Sequence, residues 1–197
     1  MTRALLVLAL TACTSVQSAR TLAPGSATVS VGLGRASSFE ENVDEGDWAG
    51  HLMVRFGLVD GFDLGLHAVH TPGNGGVGVL AIDPKVQLAH TGRIAVSVGS
   101  PAGIVVGEAP EASLEGYFVL PALYVGVEVS PSVEMIVTAR YNVGLDADNP
   151  TRTGYGAAFA PRFIDETKTW AVQPEIGVLH AEETTYLTFG LTIAVGH

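Results

Sequence analysis

Charge is scarce in this chain. Of 197 residues only 15% are charged, against about 25% in an average soluble domain, and lysine occurs only as Lys85 and Lys168. A soluble sheet protein guards its edges and outer face with such residues, so their scarcity suggests a surface that is not wholly in water. Cysteine is scarcer still: Cys13 stands alone, which excludes a disulfide scaffold. Ten Lys and Arg face 20 Asp and Glu, a formal net charge of -10, and an acidic chain lacks the electrostatic footprint of a nucleic-acid partner. No apolar run approaches the length of about 20 residues that a membrane helix needs. A hydrophobic content of 47% excludes disorder, and 24 glycines without a three-residue repeat exclude a collagen.

What is present begins at the N-terminus. Arg3 precedes the apolar run Ala4-Leu5-Leu6-Val7-Leu8-Ala9-Leu10, and small residues follow before Cys13. That order of charge, apolar stretch and small residues is an export signal. Leu10-Thr11-Ala12-Cys13 resembles the lipobox of bacterial lipoproteins, which implies lipidation at Cys13 and removal of residues 1–12. Thr14, where an aspartate would imply retention in the inner membrane, resembles outer-membrane sorting. The expected organisation is a signal peptide at 1–12, a periplasmic lipid-anchored tether at 13–25, and one domain at 26–197.

From Ser26 onward the dominant pattern is alternation with a period of two, the mark of strands with two unlike faces. In Ser26–Arg35, Ala27, Val29, Val31 and Leu33 form one face, and Ser26, Thr28, Ser30, Gly32 and Gly34 the other. Nine further runs follow: Asp47–Leu58, Phe62–His70, Val77–Ala89, Arg93–Val106, Glu115–Glu128, Val133–Val143, Gly154–Ile164, Thr169–Leu179 and Thr185–Gly196. The least regular is Arg93–Val106, because Ser100-Pro101-Ala102-Gly103 interrupts it. Tight turns at Val59–Gly61, His90–Gly92, Ser130–Ser132 and Asp165–Lys168 alternate with longer loops at Ala36–Gly46, Thr71–Gly76, Gly107–Leu114, Asn142–Thr153 and His180–Thr184. An even number of roughly ten-residue strands with this alternation predicts an all-β, up-and-down antiparallel transmembrane barrel of about ten strands.

A soluble barrel alternates too, with its apolar face inward. Two further features favour the membrane form. The polar face is built of small residues, such as Gly154, Gly156, Ala158 and Ala160, which a narrow lumen needs and a watery exterior does not. Aromatics also sort by rim: Trp48, Tyr117, Tyr141 and Tyr155 fall at one end and Phe56, Phe62, Phe163 and Trp170 at the other, as girdles at two membrane interfaces would. Cys13, the stretch Ala19–Gly25, and the strand patterns Asp83-Pro84-Lys85 and Gln173-Pro174-Glu175 together resemble bacterial outer-membrane β-barrel lipoproteins of poorly characterised function. The chain departs from the usual barrel ending in closing on His197 rather than on an aromatic residue.

The polar face carries the charges Arg55, Asp63, Asp83, Lys85, Arg140, Arg162 and Glu175, with His51, His67 and Gln173 beside them. In a narrow interior opposite signs should pair, so a salt-bridged lumen is expected. Twelve acids, at Glu40, Glu41, Asp44, Glu45, Asp47, Glu108, Glu111, Glu115, Asp146, Asp148, Glu182 and Glu183, crowd the proposed outer loops against Arg152 alone. Such a rim can gather cations, or it simply keeps loops solvated. For catalysis the nearest candidates are His180, Glu182 and Glu183, with Asp146 and Asp148 across the rim, but a loop histidine near acids is more often solvated surface, and no catalytic residue is assigned. His67 and His70 face opposite sides of a strand and cannot chelate together, and Asp146-Ala147-Asp148-Asn149 lacks the glycine and the closing glutamate of a calcium loop. No metal or cofactor is expected. The reading is a lipid-anchored outer-membrane barrel with a narrow, salt-bridged lumen and a structural or interaction role. Its alternatives are a small passive channel and a rim-sited enzyme acting on lipid A or peptides. The partners implied are outer-membrane lipid and the machineries of barrel assembly and lipoprotein sorting.

Overall fold

A computed structural model of the chain describes residues 17–38, 48–72, 77–109, 112–145, 152–181 and 183–196, with side chains at all of these except 107–115 and 152. The segments are β1 (Ala27–Ser38), β2 (Trp48–Val59), β3 (Phe62–Thr71), β4 (Val77–Thr91), β5 (Ile94–Gly99), β6 (Ala102–Ala109), β7 (Ala112–Val119), β8 (Ala122–Ser130), β9 (Val133–Leu145), β10 (Arg152–Ile164), β11 (Trp170–Ala181) and β12 (Thr184–Val195). Every pairing is antiparallel. The ladder runs from β10 through β11, β12 and β1 to β4, and β9 closes it back onto β10.

These segments make ten barrel strands, because two strands are each broken once. β5 and β6 are halves of one strand, and β7 and β8 halves of the next. β4 pairs first with β6, over Val77–Ile82, and then with β5, over Lys85–Thr91, and β9 pairs with β8 and then with β7. Pro101 and Pro121, which have no N–H to give, stand at the breaks. Their carbonyls keep the wall joined: Leu120 donates to Pro101 at 2.7 Å and Tyr141 to Pro121 at 2.9 Å. The interruption expected at Ser100–Gly103 is therefore local, and the unbroken run expected over Glu115–Glu128 is bent at the same level.

The turns β2–β3, β4–β5, β8–β9 and β10–β11 share one end of the barrel with the start of β1 and the close of β12; this is the turn end. Gly61 and Gly92 sit at φ of 76° and 55° in two of those turns, where a side chain would be strained. At the opposite, loop end, two expected loops shrink. The ladder carries on through Glu108↔Ser113 and Ala109↔Ala112, and through His180↔Thr185 and Ala181↔Thr184. Past an apolar band both faces of a hairpin meet water, so the alternation that marks a strand fades there although the hydrogen bonds continue.

The distribution of polarity is inverted relative to a soluble protein. Leu33, Leu80 and Leu191 are 58%, 59% and 50% exposed on the outer face, whereas Asp63 and Asp83 are 0% exposed on the inner one. A water-soluble fold buries its large apolar residues and solvates its carboxylates. Exposed apolar side chains project from nearly every strand, from Val29 on β1 to Val195 on β12. A continuous oily belt of this kind suits lipid rather than water.

Candidate functional site: the charged lumen

Alternation sends Arg55 on β2, Asp63 on β3, and Asp83 and Lys85 on β4 into the lumen. The register then brings them together. Arg55 pairs with both carboxylates, one nitrogen to Asp63 and the other to Asp83, and Lys85 Nζ lies 3.4 Å from Asp63. Two cations thus meet two anions out of water, the balance that buried charge requires.

Arg55 reaches Asp83 across an intervening strand because the residue between them is Gly65, opposite Arg55 on one side and Asp83 on the other. A Cβ at Gly65 would come within 2.9 Å of the guanidinium.

Of the tether expected at 13–25, residues 17–22 enter the turn end and run along the inner wall, while residues 23–25 are exposed at its rim. Gln17 donates to Asp83 at 2.6 Å and to the Tyr124 hydroxyl at 3.0 Å. Lys85 donates to the carbonyls of Ser18 and Arg20 at 3.0 and 2.9 Å, and Ser97 donates to that of Ala19. The amides of Ala19, Thr21 and Leu22 donate to Glu134, Gln87 and Asp63 at 3.3, 3.2 and 3.0 Å. Arg20 bridges to Glu128 at 2.6 Å. Beside this segment a cavity of about 310 Å³ opens at the turn end, lined by Arg20, Arg55, Lys85, Glu128, Glu134 and Arg162 among others. At about 30 Å³ per molecule that is room for roughly ten waters.

The loop-end half of the interior is different. Val69, Val79, Val105, Phe118, Leu120, Leu179 and Tyr186 form a buried apolar cluster there, filled out by Ala36, Ala49 and Ala181. The small-residue lumen expected from β10 and β12 accounts for only part of the interior, since these larger apolar groups close the other half. Thr71, Asn142 and Thr184 are buried in the same half, so this layer is mainly but not wholly apolar.

The remaining expected residues are spread more widely. Arg140 and Glu175 approach at 4.0 Å, with Arg140 lining the same small gap as Asp83 and Gln17, and Arg162 on β10 stands opposite Glu134 on β9. His51 meets Thr192 at 3.0 Å, and its ring lies edge-on to that of His67 at 6.0 Å. Gln173 is buried on β11. The eight rim aromatics all lie on the outer face. Tyr141 faces Tyr155 in the ladder near the loop end, and Phe163 and Trp170 flank the β10–β11 turn.

His180 does not sit in a loop. It belongs to β11, with its Nδ1 3.0 Å from the Thr185 hydroxyl and its ring 5.2 Å from that of Tyr155. Among the described residues no three His, Asp or Glu side chains converge as metal ligands would. Cys13, Glu40, Glu41, Asp44, Glu45, Asp47, Glu111, Asp146, Asp148 and Glu182 lie outside the described residues. Glu108 and Glu115 fall in β6 and β7, not in a loop.

The expected set omitted several lumen residues: Glu134, Tyr124, Ser97, Gln87 and the whole of Gln17–Leu22. For Glu134 a signal was present, since it alternates with Met135 at the start of β9 on the inward side. For the segment none was, because a peptide held by a lumen has no periodicity of its own.

Fold and lumen together define a closed β-barrel of the transmembrane type. No known protein family matches the sequence, and no curated protein matches it. Solved structures do share the fold. An outer membrane channel from Pseudomonas putida F1 superposes with a TM-score of 0.57 at 12% identity, over 93% of this chain and 100% of that one. The translocator domain of the autotransporter NalP from Neisseria meningitidis superposes with a TM-score of 0.55 at 10% identity, over 88% and 89%.

Proposed function

We propose that this protein is a small channel of the bacterial outer membrane for polar solutes, closed in the conformation described here. The observation that carries this reading is the interior itself: a charged cavity of about 310 Å³ at the turn end and an apolar cluster in the loop-end half, inside a wall whose outer face is apolar. A barrel that only fills space has no need for four ionised groups within it, because apolar side chains would do the same at lower desolvation cost. The fold shared with the Pseudomonas putida outer membrane channel supports the same reading.

Within this proposal the turn end faces the periplasm, and a lipid on Cys13 adds a second hold on the membrane. Its partners are then outer-membrane lipid and the machineries that assemble barrels and sort lipoproteins. The second reading, a closed barrel with a structural or interaction role, is favoured by the same apolar layer.

Planar-bilayer recording separates the two. Discrete conductance steps from the purified barrel support a channel. Silence from the native chain and also from Phe118→Ala, which thins the apolar layer, supports the structural role.

A further inference from the structure

We propose that the turn-end lumen is a binding site for an extended peptide, read through its main chain, and that residues 17–22 occupy it as a built-in competitor. The inference goes beyond the channel reading and does not depend on it.

Three observations carry it. First, the contacts are of an unusual kind. An extended peptide must satisfy its N–H and C=O groups, and in a sheet it does so on a strand edge. Here the ring of strands is already closed by its own ladder, and the main-chain groups of residues 18–22 are met by wall side chains. Lys85 serves two carbonyls, Ser97 a third, and Glu134, Gln87 and Asp63 accept from three amides. Main-chain contacts of this sort are largely indifferent to sequence and give affinity for extended peptides as a class.

Second, the wall is recessed to admit the segment. A Cβ at Gly126 would lie 2.7 Å from the Ala19 side chain and 2.4 Å from the Glu134 carboxylate that binds the Ala19 amide, and one at Gly57 would lie 2.0 Å from the Ala23 carbonyl oxygen. Ala19 itself is 0% exposed and packs against Ala95, Ala122 and Tyr124. The centre of the site therefore takes a small side chain and refuses a large one.

Third, the seat stands without its occupant. Arg55 and Lys85 balance Asp63 and Asp83 among themselves, and the adjoining cavity already holds room for water. Departure of the segment leaves these four charges paired with one another, and Glu128, which then loses Arg20, is already about a third exposed.

The test evicts the segment without touching the seat. Ala19→Trp in the full chain cannot enter the recess at Gly126, and Ala19→Glu, which sets a carboxylate against Glu134, is a second way to the same end. Folding is confirmed by heat-modifiable gel mobility. A fluorescent synthetic peptide of residues 17–24 is then titrated by anisotropy. The evicted barrels should bind it, and the native chain at least about tenfold more weakly, because a tethered segment competes at millimolar effective concentration.

The same peptide with tryptophan at its third position should not bind. A folded evicted barrel that ignores the native peptide, or one that binds both peptides alike, overturns the proposal. Should neither eviction variant fold, Ala19→Cys in a Cys13→Ser background answers instead. Its maleimide labelling should be at least about tenfold slower than that of Glu166→Cys in the exposed β10–β11 turn. Equal rates would mean that the segment is not seated, and that too overturns the proposal.

Discussion

Arg55 and Asp83 stand on strands that are not neighbours, yet their side chains meet, because the residue between them in the ladder is Gly65. The pairing thus depends on an absent side chain. Gly65→Val fills the gap through which the guanidinium passes and separates the charges while keeping them buried. Breaking a buried pair costs about 3–5 kcal/mol, and that loss should appear in urea unfolding of the barrel in lipid vesicles. Arg55→Met should cost a similar amount by stranding Asp83, and Arg55→Met with Asp83→Asn should cost less than Arg55→Met alone, since Lys85 and Asp63 then balance. A double variant as damaged as the sum of its singles would mean that the two residues are not coupled.

The inward set was legible because each member sits at a fixed parity within its strand. Once Val54 and Phe56 are assigned outward, Arg55 must face the lumen, and the same logic holds for Asp63 beside Phe62 and for Asp83 beside Ile82. Parity says nothing about register, so which charges meet could not be read: Arg140 and Glu175 look no different in sequence from Arg55 and Asp83. The apolar half of the interior escaped for the same reason. Val77–Ile82 is apolar on both faces, but the apolar cluster exists only because Phe118, Leu179 and Tyr186 join it from distant strands. Gln17–Leu22 was hidden more completely, its only trace being glycines at Gly57 and Gly126 whose purpose lies elsewhere in the chain.

Among the described residues, the β10–β11 turn holds the one carboxyl outside the membrane-spanning strands that is shifted by its surroundings. Desolvation pushes Asp165 up, but hydrogen bonds from the Thr167 hydroxyl, the amides of Trp170 and Thr167, and Thr169 outweigh it and bring the group down to about 2. A carboxyl depressed by folding contributes stability above its unfolded value of about 3.9, and that contribution is lost as pH falls toward the folded value. The turn should therefore hold at pH 5 and loosen only in strong acid. Carbon-detected NMR titration of Asp165 should give a midpoint well below 3, and Thr167→Ala should raise it; an unshifted midpoint would refute the hydrogen-bonded turn.

The two tryptophans report separately on the two rims. Trp48 opens β2 at the loop end and Trp170 opens β11 at the turn end, both about half exposed on the outer face. Amphipathic rings of this kind settle at the level of lipid headgroups. In vesicles, Trp48→Phe and Trp170→Phe each leave a single emitter. Both should be quenched more strongly by a nitroxide near the headgroup than by one at the acyl-chain end. The reverse order for either residue would move its rim into the bilayer centre.

Phe118 is 2% exposed in the apolar cluster, where it adjoins a small gap lined by the apolar Met53, Val79 and Leu120 and by the polar Gln17, His67, Asp83 and Arg140. Truncating such a residue removes about 3–5 kcal/mol of packing, which a closed barrel with its full ladder can lose without unfolding. How readily water then enters depends on polarity, since apolar walls stay dry while polar ones hold water, and this gap has walls of both kinds. Phe118→Ala should consequently raise conductance only modestly, whereas Phe118→Ser, of similar volume but with a hydroxyl to hold water, should raise it more. The comparison isolates wetting from size. Equal conductance in the two variants would show that width alone limits passage, and silence from both would favour a closed structural barrel over a channel.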